Sequence, residues 1–464
     1  MKSDSTIFSC SKCDAQYSKW TGRCLECGSW STIKETGVVA AQIKNLKDKK
    51  NNAPAGKTIN FGNIIGQEVT RLKTGMDEFD RVLGGGLAPG GLTLLGGEPG
   101  IGKSTLVLQI ASALPTKVLY VSGEESAEQV KLRFDRLKLQ PSQLEFLDET
   151  NVETICATIE QVKPALAIVD SIQTLTSIEV TGPAGNPTQL KAACAKLTET
   201  AKNTRVPIII IGHVTKEGTL GGPKTLEHIV DTVMYLEGDK FHQFRILRSV
   251  KNRFGSTAEA GIFEMTALGL KEVKNPSEAF LSGRGEPVPG SIITCLIAGS
   301  RPILLEIQAL VTRTNFGYPQ RRASGFDLNR LQVLIAVLAK RTGLPLESYD
   351  IFLNVIGGLK ADEPAADLAV VLAIASALKN KNLPPDLVAF GEVGLGGEVR
   401  PVAQMERRLS ETQKMGMKYA VLPPTKELLK SSGIKIAHIK NVKEVIEKII
   451  SGAEGQKFSP ARIV

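Results

Sequence analysis

The eight residues Gly97-Glu98-Pro99-Gly100-Ile101-Gly102-Lys103-Ser104 constrain this chain more than any other segment. They fit the pattern G-x-x-x-x-G-K-[ST]. In it, glycines let the backbone curl until several amides point at one phosphate. A lysine reaches the β- and γ-phosphates, and a hydroxyl ligates Mg²⁺. Gly91 to Gly96 reads as a short strand running in. Thr105 to Ala111 reads as a helix running out, whose N-terminal dipole favours an anion. Gly97, Glu98, Pro99, Gly100, Ile101, Gly102, Lys103, Ser104 and Thr105 are therefore the candidate phosphate-binding residues, with Lys103 as the catalytic cation and Ser104 as a Mg²⁺ ligand. A chain with this loop is expected to bind and hydrolyse a nucleoside triphosphate.

The 464 residues suggest roughly three domains of about 150 residues each. A hydrophobic share of 42% and a charged share of 23% suit a soluble globular protein. No apolar run reaches the roughly 18 residues of a membrane span. The longest, Ala365 to Leu378, is interrupted by Asp367 and reads as a buried helix. Met1-Lys2-Ser3-Asp4-Ser5 carries no apolar signal core, so a cytoplasmic protein without a membrane partner is expected. A net charge of +9 favours polyanionic partners, although many solvated proteins share it. Aromatics at 5% argue against gripping single strands mainly by base stacking.

Four of the seven cysteines form Cys10-Ser11-Lys12-Cys13, ten intervening residues, and Cys24-Leu25-Glu26-Cys27. Two C-x-x-C knuckles can close a tetrahedral thiolate site around Zn²⁺. Without a secretory signal, two disulfides fit less well. A redox motif would sit at a helix start in a larger domain. Structural zinc on Cys10, Cys13, Cys24 and Cys27 is the expectation, with a module over residues 1–34. Cys156, Cys194 and Cys295 lie in apolar surroundings and read as core residues. Lys44 to Lys57 is polar and basic, so residues 35–65 read as a linker, solvated or touching phosphate.

From residue 66 to residue 275, apolar strands alternate with amphipathic helices. The strand candidates are Leu92–Leu95, Val118–Val121, Leu166–Val169, Pro207–Ile211 and Thr232–Leu236. That alternation predicts an α/β domain with a mostly parallel, doubly wound sheet. Leu166-Ala167-Ile168-Val169-Asp170 ends a strand in a carboxylate, which places Asp170 as the Mg²⁺-holding Walker B residue, with a turn cap as the alternative. Glu124 and Glu125 follow another strand, where one could orient the attacking water or both could serve a helix N-terminus. His213 ends a further strand and could sense phosphate, contact DNA or be structural. Glu179–Gln189 and Thr215–Thr225, with Lys191, Lys216 and Lys224, are candidate DNA loops. Lys251 and Arg253 alternate about Asn252, so on a strand they share a face. With nothing local to neutralise them, they are candidates for supply in trans to a neighbour's γ-phosphate, which requires an oligomer; a solvated hairpin tip is the alternative.

Thr74-Gly75-Met76-Asp77-Glu78-Phe79-Asp80-Arg81-Val82-Leu83-Gly84-Gly85-Gly86-Leu87 ahead of the phosphate loop resembles the RecA-like ATPases, above all the RadA (Sms) and KaiC branches. Ser122-Gly123-Glu124-Glu125-Ser126-Ala127-Glu128-Gln129 is similar to the segment that carries the catalytic glutamate there, which selects Glu124. Lys251-Asn252-Arg253-Phe254-Gly255 matches the K-N-R-F-G motif of bacterial RadA. With the four-cysteine module the resemblance spans essentially the whole chain. It implies ATP, Mg²⁺ and Zn²⁺ as cofactors and a DNA-dependent ATPase of homologous recombination and repair. It further implies a hexameric ring that translocates on single-stranded and branched DNA, promotes branch migration, processes stalled forks and works with a RecA-type recombinase. A KaiC-like signalling ATPase, a Lon-like protease and a non-motor adaptor are the rival readings.

Residues 276–464, with a core near 350–452, resemble the proteolytic domain of Lon, which implies an α+β fold. There Pro364-Ala365-Ala366-Asp367 matches the nucleophile stretch but offers no hydroxyl, and Glu406 stands where the catalytic lysine is expected. A Ser–Lys dyad needs both partners, so no peptidase is expected. A scaffold remains, with Arg400, Arg407, Arg408, Lys414 and Lys418 as DNA contacts or a solvated basic face.

Overall fold

The apolar runs and knuckles fold into three larger sheets in a computed structural model that describes residues 7–13, 15–17, 19–36, 70–140, 143–213, 226–238, 243–315, 317–425 and 433–450. Most of the expected linker and the expected loop Thr215–Thr225, with Lys216 and Lys224, lie outside the described residues. The first sheet is a ribbon in which β1 (Ile7–Cys10) pairs antiparallel with both β2 (Gln16–Tyr17) and β3 (Ile33–Thr36). Its interior is Cys10, Cys24 and Ile33, with Phe8 and Tyr17 packed alongside. So small a core cannot hold a fold by burial alone, and the thiols at its centre take that role through a metal.

The second sheet has nine strands. Helix α1 (Asp77–Leu83) leads into β4 (Leu92–Gly97), and α2 (Lys103–Ala113) follows the phosphate loop. Next come β5 (Val118–Ser122), α3 (Ala127–Arg136), β6 (Leu144–Asp148), α4 (Val152–Val162), β7 (Leu166–Asp170), α5 (Pro187–Thr204), β8 (Ile208–His213) and β9 (Thr232–Glu237). Strands β9, β4, β8, β7, β5 and β6 are neighbours in that order and all parallel. Ile208 to Ile211 are buried without alternation because helices cover both faces. Leu95, Ile209 and Ile211 pack with Phe79, Leu106 and Ile110 on one side, while Leu94, Ile208 and Ile210 pack with Ile155, Leu190 and Leu197 on the other.

One feature of this sheet was not expected from the sequence. Beyond β9 it continues as an antiparallel meander of β10 (Phe244–Asn252), β11 (Ala260–Thr266) and β12 (Gly269–Glu272). The charges along Phe244-Arg245-Ile246-Leu247-Arg248-Ser249-Val250-Lys251-Asn252 mask the strand character of β10, whose burial does not alternate evenly.

Helix α6 (Pro276–Leu281) bridges to the third sheet, seven strands ordered β15-β16-β14-β13-β17-β20-β21. These are β13 (Ser291–Ala298), β14 (Arg301–Arg313), β15 (Arg321–Ser324), β16 (Tyr349–Val355), β17 (Leu387–Ala389), β20 (Tyr419–Leu422) and β21 (Lys435–His438), with the small pair β18 (Glu392–Val393) and β19 (Val399–Arg400) beside it. The buried run of the sequence is helix α8 (Asp367–Lys379), apolar on all sides and enclosed between the sheet and α7 (Leu328–Thr342). Asp367 begins that helix rather than breaking it. Its carboxylate is fully buried and accepts from the Arg330 guanidinium and from the Val393 amide at 3.1 Å. The cores of the second and third sheets touch: Ile246, Ile262 and Phe280 pack into the cluster that holds Ile292, Leu304 and Leu334.

Candidate nucleotide site and zinc ribbon

The loop after β4 turns on glycines. Gly97 has φ +154°, and a Cβ there would lie 2.6 Å from the Leu236 carbonyl oxygen, so no side chain fits. Lys103 is 3% exposed, and its Nζ donates to the carbonyls of Gly97 at 2.9 Å and Glu98 at 3.0 Å. The ammonium thus folds over the loop it serves. Burial draws its pKa down to about 8, against the pull of Asp170 and Glu124.

Asp170 ends β7 two strands away. Burial pushes its carboxyl up, opposed by hydrogen bonds from the hydroxyls of Ser104 and Tyr120, the latter at 2.7 Å. Glu124 stands just past β5. Its Oε1 accepts from the Ser171 hydroxyl and lies 3.5 Å from His213 Nε2. His213 does most to hold the Glu124 carboxyl low, against burial, with help from Ser171 and Lys103. Glu125 is turned aside to pair with Arg133 of α3. So Lys103, Ser104, Asp170, Glu124 and His213 meet at the C-terminal end of the parallel strands. Tyr120 and Ser171 complete this cluster and were missed from sequence. Ser171 was findable, because it follows the strand-ending aspartate directly.

Lys251 and Arg253 lie elsewhere. Strand β10 runs antiparallel to β9, with Lys251 opposite Val233 and Asn252 opposite Thr232, at the entry end of the sheet. Thr232 is level with Thr93, near the start of β4, while the phosphate loop leaves its far end. Asp231, which Arg253 meets, is level with Leu92, so about 17 Å of β4 separate Arg253 from the loop, while Lys251, level through Val233 with Leu94, stands about 10 Å along the strand from it. The expectation that nothing local neutralises these cations is corrected by the structure. Lys251 Nζ donates to the carbonyls of Glu227 at 2.6 Å, Val230 at 2.8 Å and His228 at 3.3 Å. Arg253 Nη1 lies 3.1 Å from Asp231 Oδ1. The reason is that Asp231 is buried, with Oδ2 accepting from the Leu92 amide, and its charge needs a cation. Arg253 remains 52% exposed at its side chain, so part of its donor fork faces outward.

In the ribbon the sulfurs of Cys10, Cys13, Cys24 and Cys27 all lie within 4.8 Å of one another, and none forms a disulfide. Burial raises the Cys13 thiol to about 12. At Cys24 burial is outweighed by hydrogen bonds from the Cys27 amide and the Tyr17 hydroxyl, and the thiol falls to about 6. Four such sulfurs cannot all ionise together without a cation, which is the donor set of a closed zinc site. The chain has two tryptophans, Trp20 and Trp30, and both belong to this ribbon. Its tryptophan fluorescence therefore reports the ribbon alone. Chelation is expected to release about one zinc per chain and shift the emission, as Cys24→Ser should also do. Because both rings are already mostly exposed, unchanged emission together with unchanged resistance of the ribbon to proteolysis after complete metal loss would show a ribbon that folds without metal.

In the third sheet, Ala365 is fully buried and Glu406 is in the first turn of α9 (Met405–Lys414), beside a cavity of about 660 Å³ lined by Pro401–Arg407, Pro424 and Thr425. Arg408 is not available to DNA, a second correction. It is fully buried, pairing with Glu363 and donating to the Cys295 carbonyl, because α9 turns that face into the sheet. Arg400 pairs with Glu398 and Lys418 with Asp386, while Arg407 and Lys414 are exposed. The loop Glu179–Gln189 is pinned by buried Gln189, whose Nε2 donates to Val180 at 2.8 Å and Gly182 at 3.1 Å; Lys191 is exposed beyond it.

These parts define a class: a P-loop ATPase with a zinc ribbon ahead of it and a Lon-type domain behind. Comparison agrees. Residues 63–219 match the AAA domain, residues 8–35 the rubredoxin metal binding domain, and residues 338–452 the Lon protease (S16) C-terminal proteolytic domain. The chain is 46% identical to the DNA repair protein RadA of Bacillus subtilis (strain 168), over 96% of this chain and 98% of that one. It is 45% identical to RadA of Streptococcus pyogenes serotype M3 over 97% and 100%, and 46% identical to that of Pseudomonas aeruginosa over 90% and 92%. The chain belongs to the RadA family of DNA repair proteins. Among solved structures, a KaiC-like protein of Pyrococcus horikoshii OT3 is similar with TM-score 0.38 and 20% identity, over 44% of this chain and all of that one. Among the described residues, no helix is long and apolar enough to cross a membrane.

Proposed function

We propose that this chain is a DNA-dependent ATPase of homologous recombination and repair. It works as a ring, a hexamer by family resemblance, that moves along single-stranded and branched DNA. There it promotes branch migration and the processing of stalled forks, alongside a RecA-type recombinase. The observation that carries the ring is the position of Arg253, about 17 Å along β4 from the phosphate loop of its own chain. Cations at the opposite end of the sheet cannot serve their own nucleotide. Arg253, whose side chain stays half exposed, is available to a neighbour's, which is how an arginine finger acts in trans.

Within one site the residues divide the work. The amides of residues 97–105 and the α2 N-terminus hold the phosphates, and Lys103 neutralises the β/γ oxygens. Mg²⁺, when bound, supplies charge neutralisation at the β- and γ-phosphates; Ser104 and Asp170, already hydrogen-bonded to each other, would hold it. Glu124 orients the attacking water and takes its proton. In the third sheet Ala365 has no nucleophile and Arg408 is committed to Glu363, which supports a scaffold; casein is expected to stay undigested.

Single-stranded DNA is expected to raise ATP turnover at least tenfold. Turnover indifferent to DNA would move the KaiC-like signalling reading ahead. A second outcome follows from Lys103. Its pKa of about 8 in the free site must rise when a polyanion arrives, so nucleotide binding at pH 8 should take up about half a proton per site. Calorimetry in buffers of different ionisation heat reads this directly; buffer-independent heats would contradict it. The sign for stability is fixed as well. Because the folded value lies below the unfolded one, the nucleotide-free chain gains stability as pH climbs from about 8 towards the ordinary lysine value.

A further inference from the structure

We infer that Glu78 and Arg301 are positioning residues for the Lys251–Arg253 pair, forming a joint through which the C-terminal domain holds α1 and, through α1, the segment that carries Arg253. This rests on the reading that Arg253 acts in trans.

Glu78 sits one residue into α1 and is 2% exposed. A carboxylate so buried needs a cation. Arg81 of the same helix stands 3.5 Å away, and the closer cation comes from the other domain: Arg301, first residue of β14, places Nη1 at 2.9 and 2.7 Å from the two Glu78 oxygens, and its Nη2 donates to the Lys274 carbonyl at 3.0 Å. Glu78 Oε2 also accepts from the Ile262 amide at 3.0 Å, which ties the same carboxylate to β11. The turn that presents Arg301 is seated closely. Gly299 has φ +69°, and a Cβ there would lie 2.5 Å from the Ala258 carbonyl oxygen. Next to it the Ser300 hydroxyl donates to Glu259 at 2.7 Å.

The other end of α1 meets the K-N-R-F-G segment. The Leu83 carbonyl accepts from Asn252 Nδ2 at 3.2 Å and from Arg71 Nη1 at 2.9 Å. Arg71 Nη2 donates in turn to the Phe254 carbonyl. Gly255 Cα lies 3.5 Å from where a Gly84 Cβ would stand. Residues 252, 254 and 255 thus rest on the C-terminal end of a helix of about 10 Å, and Arg253 lies between them. The helix's N-terminal turn is held by Arg301. A shift of the C-terminal domain tilts α1 and moves the backbone of Arg253, while the phosphate loop stays anchored in β4. Hydrogen-bonded charges fix an orientation that apolar packing at this joint would leave looser.

The test uses the full chain with ATP and single-stranded DNA. Arg301→Met and Glu78→Gln are each expected to lower kcat about tenfold, with KM for ATP and the affinity for a non-hydrolysable ATP analogue unchanged within about twofold. If the single variants fail to fold by circular dichroism, the double variant Glu78→Gln/Arg301→Met, which leaves no unpaired buried charge, carries the same expectation. The deciding arm mixes Arg301→Met subunits with Lys103→Ala subunits. The first bring an intact loop and the second intact cations, so turnover should recover in mixed oligomers, which repair of a merely unstable subunit would not give. Folded Arg301→Met or double-variant protein with wild-type kcat, or slow protein that the mixture leaves slow, overturns the joint. If Arg253→Ala itself turns over normally, the trans reading fails instead; if Arg253→Ala is inactive while Arg301→Met is normal, the joint alone fails.

Discussion

Replacing Lys103 by alanine is expected to lower ATP turnover by about a thousandfold or more, ~4 kcal/mol of transition-state stabilisation. The ammonium is buried, held by two carbonyls of its own loop, and stands where charge develops on the β/γ oxygens. The other cation on this loop, buried Arg245, is committed through its Nε to the Ile101 carbonyl at 3.2 Å, so it is not expected to take over the task. The loss should appear in kcat, with weaker nucleotide binding beside it, because the same charge serves ground and transition states. Steady-state phosphate release measures it. Turnover within tenfold of wild type would mean that phosphate is held elsewhere.

Arg253→Ala should cost nearly as much for a different reason. An arginine supplied across an interface is worth about 10³- to 10⁵-fold in turnover. Here its loss should leave nucleotide affinity almost untouched, because Arg253 lies an entire strand away from its own phosphate loop. A variant that lost binding and turnover together would place Arg253 in its own site, against the geometry of β9 and β10. Lys251→Ala is expected to be milder in this respect, since three carbonyls of residues 227–230 already hold its Nζ.

The parts of this molecule that were legible in the sequence are those where one residue type has one physical use. The phosphate loop needs glycine at Gly97 because its backbone admits no Cβ, and needs lysine and a hydroxyl after it. The four cysteines announce a metal because a core of Cys10, Cys24 and Ile33 is too small to stand alone. Strands buried on both faces, such as Ile208–Ile211, read as unbroken apolar runs. What was hidden depends on residues distant in the chain. The partnership of Arg253 with Asp231 spans 22 residues and that of Arg301 with Glu78 spans 223. No local pattern announces either. The strand β10 was hidden by its own charges. Arg408 looked like one more surface cation in a basic helix, yet α9 turns it inward to meet Glu363.

Mixing inactive subunits tests the central claim most directly. Lys103→Ala lacks the phosphate cation but keeps Arg253; Arg253→Ala lacks the finger but keeps the loop. Each is expected to be inactive alone. With single-stranded DNA present, an equimolar mixture should recover a substantial fraction of wild-type turnover, because some interfaces pair an intact loop with an intact arginine. Recovery would establish ATP sites shared between neighbouring subunits. A mixture as inactive as its components, with mixed oligomers demonstrably formed, would contradict the account and return Arg253 to a structural partner of Asp231.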